Sequence, residues 1–218
     1  MTVTITRLYD DHVSAERAVR DLEAAGIPHR DISIMSNNAD SWYKGGRADT
    51  TAPGAPRGRI DRDHDGVDDR AEGAGTGAGI GATIGGAAGL LAGLGLLAIP
   101  GLGPVVAAGW LASTALGALA GGTTGGVIGA LSQAGVKDED AQLYAEGLRR
   151  GGSLVSARIP DGDRSRVESI LSRSAVNLTE RAAAYRKTGW SRFDPEAPPL
   201  SADQIRKERE LYRRSSAA

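Results

Sequence analysis

The sequence predicts an α+β fold: a ferredoxin-like split β-α-β sandwich interrupted by a long glycine-rich helical hairpin. Three observations predict it. A β-α-β pattern fills residues 1–44, a helix and a second β-α-β pattern fill 137–186, and the span 73–136 between them holds no Asp, Glu, Lys, Arg or His. Residues 3–9 alternate well enough to form a strand. Residues 12–25 then place Ala15, Ala18, Val19 and Leu22 on one helical face, with Gly26 and Pro28 as the stop. Residues 31–35 return as a second β-rich run. Beyond the insertion, 138–150 reads as a helix with Asp138 as N-cap, Ala141, Tyr144 and Leu148 inward, and Gly151 as the stop. A strand over 153–159, a helix over 162–174 with Val167, Ile170 and Leu171 inward, and a fourth strand over 178–184 complete the pattern. Roughly ninety residues of sandwich suffice for a modest core.

The insertion carries 20 of the chain's 31 glycines. Gly73, Gly77, Gly81, Gly85, Gly89 and Gly93 recur at every fourth position, as do Gly117, Gly121, Gly125 and Gly129. That spacing puts each ladder on one helix face, where missing side chains let two backbones approach closely. Between the ladders, Pro100, Gly101, Leu102, Gly103 and Pro104 form an uncharged turn. Each helical glycine costs about 1 kcal/mol against alanine in water. In hydrocarbon the helix is enforced, because unpaired backbone groups there cost several kcal/mol. The arms, 73–98 and 105–135, each exceed the ~20 residues of a bilayer span. The expectation is therefore a hairpin anchored in the cytoplasmic membrane with both termini cytosolic. The alternative is a cytoplasmic assembly whose hairpins pack between protomers, since the larger apolar residues, from Leu90 to Leu111, gather near the turn. A second small-residue face on each arm (Gly75, Gly79 and Ala87; Ala118, Gly122, Gly126, Ala130 and Ala134) predicts a homo-oligomer in either case.

Chemistry is sparse. Lys and Arg number 26 against 27 Asp and Glu, so no global field recruits nucleic acid. Cysteine is absent, which removes thiol catalysis, disulfides and thiolate metal sites. No basic stretch followed by an apolar run opens the chain, so no cleaved signal is visible. The glycines make no phosphate-cradling loop. His12, His29 and His64 lack ligand spacing, and no nucleophile, catalytic set or small-molecule substrate is evident. The expectation is a protein that is not an enzyme. Within a linker and acidic loop at 45–72, Asp61, Asp63, Asp65, the Val67 carbonyl, Asp69 and Glu72 match a calcium loop with Gly66 at its turn. The alternative is an acidic flank that complements the dipole of the following helix. The tail, 187–218, holds Trp190, Phe193 and a mixed-charge helix over 201–214 that reads as solvated. Trp110 reads as an interfacial anchor in a bilayer or as core in an assembly.

Several stretches resemble the bacterial general stress proteins, which include heat-induced and low-temperature-induced members. They are Arg7-Leu8-Tyr9-Asp10-Asp11 with Ala15-Glu16-Arg17-Ala18, Gly26-Ile27-Pro28 before Ile32-Ser33-Ile34-Met35, the turn Ala98 to Pro104, and Tyr144 to Gly152. The resemblance covers most of residues 1–185. It implies a stress-induced, non-enzymatic protein.

Overall fold

The computed structural model describes residues 1–43, 95–99, 101–120 and 126–216. Five strands form one sheet in the order β1-β5-β2-β4-β3, namely β1 (Thr2–Tyr9), β2 (Ile32–Asn37), β3 (Gly95–Ile99), β4 (Gly103–Gly109) and β5 (Ser153–Pro160). Every pairing is antiparallel. Since β1 and β2 both run against β5, they are parallel to each other, and α1 (His12–Ala24) makes the crossover between them. The fold is thus mixed α/β around an antiparallel sheet.

Both faces of the sheet are covered. Side chains alternate along each strand, so Ile5, Tyr9, Ile32, Ile34, Val155 and Ile159 meet α1 and α5 (Arg164–Ser172). On that side α1 presents Ala15, Ala18, Val19 and Leu22, and α5 presents Val167, Ile170 and Leu171. Leu8, Met35, Val105 and Leu154 point the other way, onto α2 (Trp110–Ala120), α3 (Gly126–Gln133) and α4 (Asp138–Arg149). Each such buried aliphatic contributes about 1.5–3 kcal/mol. The buried tyrosines also close hydrogen bonds, Tyr9 donating to the Leu171 carbonyl at 2.7 Å and Tyr144 to the Thr6 carbonyl at 2.8 Å.

Three expectations need correction. Residues expected as a fourth strand form α6 (Leu178–Lys187) instead. Asn177 accepts from the N–H groups of Thr179 and Glu180, three consecutive alanines follow, and the buried residues are Ala182 and Tyr185, at helical rather than alternating spacing. The apolar tip of the insertion is a β-hairpin, not the ends of two helices, and it extends the sheet through β2–β4 pairing. Val105 and Val106 are β-branched, and Gly109 ends the strand at φ +88°, where a Cβ would collide with the Ile32 carbonyl oxygen and Ser33. The membrane reading fails with it. Among the described residues no helix is long and apolar enough to cross a membrane. Of the second arm, α2 has 11 residues and α3 has 8, well short of the ~20 a span needs.

Candidate functional site

The hairpin leaves one side of β3 open among the described residues. Asn38 N–H donates to the Pro104 carbonyl at 2.8 Å, so Pro104 turns its backbone toward β2. Its partner Ala98 therefore sits in a wide, non-bonded pair, and by alternation both Leu96 and Ala98 turn their N–H and C=O away from β4. Leu96 is 38% exposed. The opposite edge is treated differently. The outward carbonyls of β1 are capped at Leu8 by Val176 N–H (2.8 Å) and at Thr6 by the Tyr144 hydroxyl (2.8 Å).

A second constellation surrounds Tyr185 on α6. Arg150 stacks over its ring at 4.3 Å and ion-pairs with Glu146 (2.6 Å) and Glu208 (3.1 Å). Burial opposes the Arg150 charge, but the hydrogen bond and charge of Glu146, with Glu208, hold its pKa above the ordinary value. Desolvation pushes the Tyr185 phenol up to about 12, against the nearby Arg181. Arg181 lies 3.8 Å over the Tyr212 ring and bonds Asp10 at 2.7 Å. It lines a half-open groove of about 620 Å³ with Asp10, Asn177, Glu180 and Tyr212. The lining carries two carboxylates and one guanidinium that is already paired, so it offers no excess positive charge to an anion.

A third constellation joins α1 to the turn after β2. His12 Nδ1 lies 3.2 Å from Ser36 Oγ and Nε2 lies 2.8 Å from Glu16, while the Trp42 ring stacks on the imidazole at 3.6 Å. The order serine–histidine–carboxylate matches a nucleophile relay. Ser36 is 1% exposed, however, so its Oγ is closed to a substrate carbonyl. Burial lowers the His12 pKa against the opposing charge of Glu16. The group acts as a clamp that holds Trp42, whose Nε1–H donates to the Asn37 carbonyl at 2.8 Å.

Of the residues singled out from sequence, Gly101, Gly103 and Pro104 lie at the turn and the start of β4. Gly117 is in α2 and Gly129 in α3, and a Cβ at Gly129 would meet no atom within 4 Å. Pro100, Gly121, Gly125, the ladder from Gly73 to Gly93 and the acidic residues Asp61 to Glu72 lie outside the described residues. Among the described residues no group of three potential ligands is placed to hold a metal. Trp110 is partly buried on the α2–α4 side, with Arg158 stacked 4.6 Å over its ring. Sequence reasoning missed the open edge at Leu96, because edge and centre positions share one alternation. It missed the Tyr185 web as well, although Glu146 and Arg150 stand at the legible i, i+4 spacing.

No protein-family model matches the chain, and no curated protein or solved structure matches it either.

Proposed function

We propose that this chain is a non-catalytic assembly module in which two copies join through the open edge of β3. The observation that carries the reading is the asymmetry of the sheet. β1 has two of its outward carbonyls, those of Thr6 and Leu8, capped, whereas among the described residues β3 presents the N–H and C=O of Leu96 and Ala98 beside an exposed leucine. Unpaired strand edges recruit other strands unless they are blunted. Antiparallel β3–β3 pairing about a two-fold axis would make one continuous sheet and would close at a dimer. The parallel β1 and β2 flanking β5, with α1 and α5 on one face, support a ferredoxin-like unit in which helix α6 replaces the fourth strand. The insertion then adds a hairpin on the β2 side. Within this reading the stress-protein resemblance supplies a context, an abundant structural partner rather than an enzyme. Calcium binding by the acidic loop rests on its sequence pattern alone.

Leu96→Pro tests the proposal cleanly. Proline at 96 removes an N–H that points away from β4, so the β3–β4 ladder survives. Sedimentation of the full chain should show a dimer for the wild type and a monomer for the variant. A dimer that persists in Leu96→Pro, or a wild type that is monomeric throughout, rejects the edge.

A further inference from the structure

The chain beyond α6 touches both the turn that follows β2 and the β3–β4 hairpin turn at the middle of the glycine-rich insertion. Gly189, at φ +86°, turns it out of the helix, and Trp190 packs edge-on against Tyr185 at 5.8 Å. Phe193 is buried in the cluster under α2–α4, and its N–H donates to Gln142 Oε1 at 3.2 Å. The next residues cross the hairpin turn. A Cβ at Gly101 would lie 2.9 Å from Pro195 Cα, and one at Gly103 would lie 2.9 Å from Pro199 Cβ. Arg149 Nη2 donates to the Pro198 carbonyl at 3.0 Å. Helix α7 (Ala202–Ser216) then docks beside the turn that follows β2. Ile205 is buried against Gly151, where any Cβ would strike it. Arg209 pairs with Asp40 at 2.5 Å through Nη1 and donates to the Gly151 carbonyl through Nε (3.1 Å) and Nη2 (2.8 Å). Asp40 sits in the turn after β2, and Gly101 and Gly103 sit at the turn between β3 and β4.

We propose that residues 189–216 are a strap that clamps the turn after β2 and the β3–β4 hairpin turn onto the sheet, with Arg209 as its latch. Among the described side chains of α7 only Ile205 and Tyr212 are buried. Its remaining seating is charged: Arg209 on Asp40 and Gly151, and Glu208 on Arg150. Helix α7 is thus seated by two buried anchors, the Arg209 fork, the Glu208–Arg150 pair and the Arg181 stack on Tyr212. The rest of its described side chains are partly or fully exposed, which makes it a peripheral element able to open without the sheet. When it lifts, Asp40 loses its partner and the hairpin turn loses the prolines lying on it. The clamp also sets the position of the β3 edge, a consequence that rests on the assembly reading; the clamp itself does not.

Amide hydrogen exchange on the full chain tests the strap. The variant is Ile205→Ala with Arg209→Ala, and the milder Arg209→Lys keeps the charge but not the fork. Arg206→Ala is the control, because Arg206 pairs with Asp203 on α7 itself. The double variant should exchange about tenfold faster along α7, and the amides of Ser41 and Leu102 should follow. Arg209→Lys should be intermediate and Arg206→Ala unchanged, while β1 and β5 amides keep wild-type rates in all three. If α7 loosens while Ser41 and Leu102 exchange as in the wild type, the strap does not clamp the two turns. If α7 keeps wild-type rates in the double variant, these contacts do not seat it, and the proposal falls.

Discussion

Glu146 is 1% exposed on the inner side of α4, and it is charge-balanced by Arg150 Nε at 2.6 Å and more distantly by Arg149 at 3.6 Å. The stability of such a pair lies less in its attraction than in the cost of breaking it, since a lone buried carboxylate keeps its desolvation penalty. Arg150→Met should therefore destabilise the fold by about 3 kcal/mol in urea unfolding. Adding Glu146→Leu should recover most of that loss, because the orphaned charge goes too. Recovery would be incomplete, since Arg150 also holds Glu208 and stacks on Tyr185. If Arg150→Met unfolds at the wild-type midpoint, Arg149 suffices for Glu146 and the web around Tyr185 is not structural. Glu146 and Arg150 are legible in the sequence as neighbours on one helix. Their third member, Glu208, lies far along the chain and comes into range only through the fold.

At the scale of elements, the sequence is most readable where one period dominates. Ala15, Ala18, Val19 and Leu22 are the buried face of α1 as their spacing demands, and Val167, Ile170 and Leu171 are that of α5. It misleads where two periods compete. Leu178 to Ala184 suits a strand topologically, but alanine-rich composition and the Asn177 cap make it a helix. Residues 95–98 and 105–109 are expected as the ends of helical arms by extension of the glycine ladders on either side, but local β preference and a waiting partner in β2 make them a β-hairpin around the expected turn. The contact that joins α1 to the turn after β2 carries a pH dependence. Burial lowers the His12 pKa below its ordinary 6.5, so folding favours the neutral ring. The contribution is full above about pH 6.5 and is lost as pH falls through that value toward the lowered folded one. Denaturant titrations from pH 8 to pH 5 should show this loss in the wild type, and His12→Gln should remove that part of the slope (about pH 6.5 and below). An unchanged slope in His12→Gln would mean the ring is not held neutral.

At the scale of the molecule, the sheet is covered on both faces, and among the described residues its β3 edge is open. Helices cover both faces, Tyr144 and Val176 cap the β1 edge, and β3 ends the other side with an exposed leucine. The glycine and alanine faces of the insertion predict self-association through packed helices, a different surface from the edge proposed above. Small-residue spacing reports that backbones can come close, whereas an open edge depends on which strand ends the sheet. The exchange rate of the Leu96 amide, measured across a dilution series of the full chain, tests the edge most directly. If two copies pair there, Leu96 N–H is protected at concentrations where the dimer forms and loses that protection on dilution, while the Leu97 amide inside the β3–β4 ladder stays protected throughout. A Leu96 amide that exchanges at one rate at every concentration, fast or slow, would contradict the account.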